Sequence, residues 1–299
     1  MADSLPDVPG YEDHLSGLKY DTMWLRPLEE EEVGEIMKKQ QPKMSCGIDT
    51  INNKIVKTCH KELMKPMTLV INKSIKECYV PQTYKKAKIV PLYKKGAANE
   101  CGNYRPVSLL SALSKILEKA ICRQLMIYLS VQKVLCPTQF GFRPANQTSH
   151  VVHKLLNDIT ENTINNETTI ATYLDLSKAF DCLQYDKLFY KLEKIGLEKE
   201  PLQWFKSYLT GRKQCVDIDG TQSDWLDVQL GVPQGSILGP ILFLIYVNDI
   251  NNCCNAKFTK FADDTTIITS APTPEEAANK MNDALHHACL LYTSPSPRD

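Results

Sequence analysis

Residues 257–269 read Lys257-Phe258-Thr259-Lys260-Phe261-Ala262-Asp263-Asp264-Thr265-Thr266-Ile267-Ile268-Thr269. Aromatic and β-branched residues on both sides favour extended backbone, and the break between the two runs predicts a hairpin with adjacent aspartates at its tip. Two anions held side by side repel, and without a cation one tends to keep its proton; a divalent metal resolves the conflict. Aspartate is also a common turn residue, so the pair taken alone fits an exposed Asp-Asp turn. A third carboxylate decides between the two.

The run Tyr173-Leu174-Asp175-Leu176-Ser177-Lys178-Ala179-Phe180-Asp181 supplies one. Thr169, Ile170, Thr172, Tyr173 and Leu174 favour a buried strand over residues 168–176, with a helix starting behind it and ending near Gly196. Asp175 then stands at a strand end, where charge is costly unless paired or bound to metal, although a helix cap is its simpler use. With Asp263 and Asp264 it gives the carboxylate set of two-metal phosphoryl chemistry, in which one ion activates the attacking hydroxyl and the other steadies the leaving pyrophosphate. Gly231-Val232-Pro233-Gln234-Gly235-Ser236-Ile237-Leu238-Gly239-Pro240 is harder to explain as structure alone. Its glycines and prolines, running into an apolar helix over 236–250, suit a backbone that approaches a ligand closely.

The remaining elements surround these blocks. A helix is predicted from Leu28, with Glu29 to Glu32 in its first turns and Val33, Ile36 and Met37 as its stripe. Gly47-Ile48-Asp49 opens a second, with Asp49 as cap and Ile51, Ile55 and Val56 inward. Residues 87–93 read as a strand, 96–103 as a turn-rich stretch, and 111–129 and 149–162 as helices. Residues 201–209 form another helix, and Asp219-Gly220 marks a hairpin with a loop longer than two residues. Thr273-Pro274-Glu275-Glu276 starts a well-capped helix with Met281, Ala284, Leu285 and Ala288 on its inner face.

The chain has 299 residues, 43% of them hydrophobic, which bounds it to one large or two ordinary globular domains. Eleven scattered cysteines argue for reduced thiols, and with no bilayer-length apolar run or signal peptide the chain is expected to be intracellular, in nucleus or cytoplasm. Lysine and arginine together balance aspartate and glutamate at 35 each, so net charge says nothing about partners. Their distribution says more: Lys73, Lys76, Lys85, Lys86, Lys88, Lys94 and Lys95 share a segment whose one acid is Glu77, interleaved with Tyr79, Tyr84 and Tyr93. That pattern suits phosphate and bases, as it suits a solvated face.

Taken in order, the blocks resemble the reverse transcriptases of non-LTR retrotransposons, the jockey-like LINE-type group especially. The resemblance runs from about Glu31 to Ala288. It is carried by Ser45-Cys46-Gly47-Ile48-Asp49, Pro91-Leu92-Tyr93-Lys94-Lys95-Gly96, Asn103-Tyr104-Arg105-Pro106-Val107-Ser108-Leu109-Leu110, Gln139-Phe140-Gly141-Phe142-Arg143, the Asp175 strand, the Gln234-Gly235 loop, Asn248-Asp249 and Phe261-Ala262-Asp263-Asp264. It implies an α+β, right-handed polymerase fold with helical fingers and a ferredoxin-like antiparallel palm. Catalysis and two magnesium ions, with manganese as substitute, would fall to Asp175 and Asp263, with Asp264 supporting. Lys94, Lys95 and Arg105 are implied to face the triphosphate, Phe180 the sugar of the incoming nucleotide, and Gln234 and Gly235 template and nucleotide. Arg143 would steady template or fold. RNA template, DNA primer and deoxynucleoside triphosphates are the implied partners, with no membrane.

Two other functions share these residues. An RNA-dependent RNA polymerase has the same palm logic, but a bulky Phe180 opposes ribonucleotides; a catalytically silent nucleic-acid-binding remnant would keep the basic segment without the chemistry. The expected division is a flexible tail over 1–27, N-terminal extension and fingers over 28–167, and palm over 168–288. On the same resemblance the palm is incomplete and the thumb missing. The last stretch, Cys289-Leu290-Leu291-Tyr292-Thr293-Ser294-Pro295-Ser296-Pro297-Arg298-Asp299, resembles a translated sequencing adapter and is set aside from fold reasoning.

Overall fold

Val33, Ile36 and Met37 recur at helical spacing, and all three are fully buried on α1 (Glu30–Lys38), whose first turn carries Glu30, Glu31 and Glu32. The computed structural model describes residues 20–175 and 179–292, for the last four of which only the backbone is described. After α1 come α2 (Asn53–Thr58) and α3 (His60–Lys76), then the hairpin β1 (Lys86–Tyr93) and β2 (Tyr104–Leu109). Ser111 caps α4 (Ala112–Val131), its hydroxyl accepting from the Leu113 and Ser114 amides. α5 (Thr148–Ile164), β3 (Thr168–Asp175), α6 (Tyr185–Lys194) and α7 (Lys199–Leu209) follow. Three strands, β4 (Arg212–Ile218), β5 (Thr221–Gln222) and β6 (Leu226–Val228), lead to α8 (Leu238–Tyr246). The chain then makes the hairpin β7 (Lys257–Phe261) and β8 (Asp264–Ala271), and α9 (Pro274–Tyr292). The fold is mixed α and β, as expected.

Over its described residues the chain divides into two compact units, each built from two segments. Over the described positions, one contains residues 133–182 and 243–292. Its centre is an antiparallel sheet in the order β3-β8-β7. The register runs from Thr168↔Ala271 to Asp175↔Asp264 on one side of β8 and from Lys257↔Ile268 to Phe261↔Asp264 on the other. Phe258 and Ile267, directly opposite each other, join Ile250 and Cys253 with Met281, Ala284 and Ala288 of α9 in one buried cluster. Lys257 of β7 ties to α5 through Asp158 at 3.5 Å and Glu161 at 3.0 Å.

The other unit contains residues 20–132 and 183–242. Its sheet runs β2-β1-β4-β5 with β6 also on β4; β1 and β2 are antiparallel and β1 and β4 parallel. α1 packs on α3 and α4, burying Ile36, Met37, Ile71, Ile116 and Leu117 completely. Trp204 of α7 is fully buried and its indole donates to Ser74 Oγ at 3.0 Å.

Several expectations need correction. β3 is an edge strand, not a buried one: none of its residues is buried and Tyr173 is 70% exposed. β-branched composition favours extension without specifying cover. Residues 176–178 lie outside the described part; behind them residues 179–182 turn, and the expected helix is α6, which begins at Tyr185. The cap of α2 is Asn52, whose Oδ1 accepts from Ile55 N at 3.0 Å. Asp49 instead accepts from the Ser111 hydroxyl, and Ile55 faces outward. The Asp219-Gly220 loop is two residues long, closing Ile218↔Thr221, and both residues have positive φ, as right-twisted hairpins prefer. Residues 20–27 are fastened rather than loose: Met23 is buried with its amide on Gly196 O at 2.8 Å, and Arg26 N donates to Gln124 at 2.8 Å. Residues 1–19 lie outside the described part. Of the adapter-like stretch, 289–292 continue the α9 backbone and 293–299 lie outside the described residues. Among the described residues no helix is long and apolar enough to cross a membrane.

Ile267 sits at the centre of the α9-facing cluster, so Ile267→Ala is expected to cost about 2–5 kcal/mol. Urea unfolding followed by circular dichroism checks this; a cost within about 0.5 kcal/mol, the usual range of surface substitutions, would remove Ile267 from the core.

Candidate active site

Register brings the aspartates together. Asp264 opens β8 directly opposite Asp175, the last residue of β3, and residues so paired share a face of the sheet. Because side chains alternate, that face is the one opposite Leu174, Thr265 and Ile267, and therefore opposite the α9 cluster. Phe261↔Asp264 closes the hairpin around Ala262-Asp263, which sets Asp263 in the loop beside the pair. Asp175 and Asp264 are exposed and Asp263 is half-buried. Partial burial, then the charges of Asp263 and Asp175, hold the Asp264 carboxyl above the usual carboxylate range. Asp175 is not buried as its strand composition suggests, and what sets it apart is its place directly opposite a second carboxylate. Carboxylate oxygens gathered at one hairpin end are hard donors suited to a divalent cation. In this conformation, among the described residues, no three acidic, His or Cys side chains are gathered into a ligand set.

Phe180 lies in the same unit, in the turn before α6. It is half-buried, with its ring 4.5 Å from that of Phe243 and 6.2 Å, edge-on, from that of Phe142. Arg143 makes no salt bridge to a described carboxylate. Its guanidinium donates to the carbonyls of Cys136 at 2.9 Å and Gln139 at 3.1 Å, so it steadies its own loop.

The other five candidates lie in the second unit. Lys94 and Lys95 follow β1, and Arg105 is on β2; all three are exposed without a described carboxylate partner. The loop between the strands is tied internally, Tyr93 Oη donating to Gly96 O at 2.5 Å, Tyr104 Oη to Ala98 O at 2.8 Å and the Asn103 amide to Ala97 O at 2.9 Å. The basic segment is not one patch. Lys73 pairs with Glu77 at 3.8 Å and Lys88 with Asp217 at 3.4 Å, while Lys85 is buried near the Tyr79 ring and Lys86 lies over Trp225. Gln234 O accepts from Ser108 N at 2.8 Å, three residues along β2 from Arg105. Gly235 has φ +118, and a Cβ there would stand 2.9 Å from Ser108 O, so the loop's closeness to β2 requires glycine.

Sequence reasoning missed what holds this loop. Glu118 of α4 is buried, and its Oε2 accepts from Ile237 N at 2.6 Å and Leu238 N at 3.2 Å, satisfying the start of α8. Burial pushes its carboxyl up, against the pull of Arg212 and of those two amides. Arg212 is itself buried and donates to Tyr208 O at 3.0 Å. The available signal was a glutamate at 118 within the apolar row Leu117, Ile121 and Leu125.

The reverse transcriptase (RNA-dependent DNA polymerase) family model matches residues 92–290, more than half of the chain, and the chain belongs to that family. Among its relatives, the "RNA-directed DNA polymerase from mobile element jockey" of Drosophila funebris is 30% identical over 269 residues, 87% of this chain and 29% of the relative. The "Probable RNA-directed DNA polymerase from transposon BS" of Drosophila melanogaster is 31% identical, covering 87% of this chain and 30% of the relative. The jockey polymerase of Drosophila melanogaster is 30% identical over 81% of this chain and 27% of its own. The expected likeness to jockey-like retrotransposon polymerases is thus borne out, and the chain spans under a third of the length of these curated relatives.

Glu118→Ala removes the acceptor of two amides and leaves Arg212 without its nearby counter-charge, so a loss of about 1–3 kcal/mol is expected in denaturant unfolding. Glu118→Gln keeps an acceptor oxygen and should lose less; equal losses would show that the amides do not depend on it.

Proposed function

We propose that the chain is the RNA-directed DNA polymerase domain of a non-LTR retrotransposon, extending a DNA primer on an RNA template. The observation that carries this reading is the register that sets Asp175 opposite Asp264 with Asp263 in the adjoining loop, in a chain of this family. The three-stranded sheet is read as the palm, and the β1–β2 hairpin with the helices around it as fingers.

In the proposed reaction the primer 3′-hydroxyl attacks the α-phosphate of a deoxynucleoside triphosphate in line, the new phosphodiester forms, and pyrophosphate leaves. Asp175 and Asp263, with Asp264 beside them, would hold magnesium, which when bound activates the hydroxyl and stabilises charge on the pyrophosphate. Lys94, Lys95 and Arg105 are exposed cations for the triphosphate, Arg105 with the fork geometry that grips phosphate oxygens in pairs. Gln234 and Gly235 present backbone to template and nucleotide, with Glu118 and Ser108 holding that backbone in place. Phe180, braced by Phe142 and Phe243, offers a ring edge to the nucleotide sugar; a ribose 2′-hydroxyl would collide with it.

Primer extension on an RNA template with magnesium tests the assignment. Asp263→Asn is expected to lower the rate by about a hundredfold or more while salt-sensitive template binding persists. Extension that is indifferent to this change would dismiss the catalytic reading, and binding without any extension would favour a nucleic-acid-binding role.

Phe180→Val should narrow discrimination between deoxynucleotides and ribonucleotides by about one to two orders of magnitude in kcat/KM. An unchanged ratio would place the ring in the core rather than at the sugar.

A further inference from the structure

Ala262 opens the loop that carries Asp263, and its φ is +59, a left-handed conformation that costs a residue with a Cβ roughly 1–2 kcal/mol. Such strain persists where surroundings over-determine it. Gln139 is the neighbour that does so. It is 2% exposed, and its Oε1 accepts from Ala262 N at 3.1 Å while its Nε2 donates, at 3.4 Å, to Ala262 O. One side-chain amide thus faces both polar groups of a single residue, as a strand partner would, just where the hairpin has none to offer. The same Oε1 accepts from Gly141 N at 2.9 Å.

The clamp is itself held. Residues 138–140 run parallel beside β7, with Lys260 N donating to Thr138 O and Phe140 N to Lys260 O, both at 2.9 Å. Arg143 grips the carbonyls of Cys136 and Gln139. Gly141 lies so close to the loop that a Cβ would stand 2.1 Å from Ala262 N.

We propose that Gln139 is a positioning residue: its side-chain amide fixes the Ala262 peptide groups and through them the place of the Asp263 carboxylate. This rests on the polymerase reading above for what Asp263 does, but the clamp can be tested apart from it. An apolar side chain of similar size could fill the same space; the paired donor and acceptor could not be replaced that way.

The test uses the 299-residue chain with Gln139→Leu, Gln139→Glu and, as a control on the reading itself, Asp263→Asn. Amide exchange at Ala262, Mn2+ affinity by electron paramagnetic resonance, and kcat and KM in primer extension are measured on each. For Gln139→Leu, exchange at Ala262 should rise about tenfold with β3 and α9 still protected. Mn2+ affinity and kcat should each fall about 10–100-fold, with KM for the deoxynucleotide within about twofold. Gln139→Glu keeps the acceptor and should restore protection of the Ala262 amide. Wild-type exchange and Mn2+ affinity in Gln139→Leu, or protection lost equally across β3 and α9, would overturn the proposal. If the wild-type chain extends no primer and Asp263→Asn leaves Mn2+ binding unchanged, the functional reading fails, while exchange at Ala262 still upholds or overturns the clamp.

Discussion

Asp175 and Asp264 face each other across two paired strands, and a fold that did not need them there would avoid the arrangement. Directly opposed like charges destabilise a strand pair, and Asp263 adds a third charge from the loop. The register is held from the opposite face. Phe258, Ile267, Met281, Ala284 and Ala288 exclude water there, and a slip of one residue would move Ile267 to the carboxylate face and Asp264 into the apolar cluster. Burial of that face is what keeps the carboxylates on the other.

The second unit meets a comparable conflict differently. Gln234 and Gly235 belong to a loop that leads straight into a helix whose first amides need acceptors. Glu118 supplies them from α4, and Ser108 fastens Gln234 from β2. A carboxylate buried for this purpose is expensive, and Arg212 nearby offsets part of the cost. The loop is thereby held from β2 at Gln234 and from α4 at Ile237 and Leu238.

What could be read from residues alone follows from this division. The β7–β8 hairpin, the helix at Pro274 and the buried stripe of α1 depend on local preference and periodicity, and they stand where residue order places them. The exposure of β3 does not: β-branched residues extend a strand equally well at an edge or in the middle of a sheet, so Thr168 to Asp175 suggested full burial, whereas the strand is only half-covered, with Ile170 and Leu174 packing on the α9 cluster. Asn52 and Asp49 are both good caps, and only the reach of Asp49 to Ser111, across 62 residues, decides between them. Glu118 and Gln139 act through partners more than a hundred positions away, which no local pattern encodes.

The aspartate loop concentrates two unfavourable terms on neighbouring residues: left-handed backbone at Ala262 and like charges at Asp263 and Asp264. Neither can be relieved locally without moving the carboxylates. Glycine at 262 would ease the backbone but loosen the loop, and replacing an aspartate would remove the charge itself. Relief has to come from outside the hairpin, and segment 138–143 is built for that, with Gln139 on the Ala262 peptide groups, Gly141 permitting the approach and Arg143 bracing the segment. Two or three hydrogen bonds at about 0.5–1.5 kcal/mol each are of the size needed to offset one residue of left-handed strain. A divalent cation is the ligand that would offset the charge repulsion.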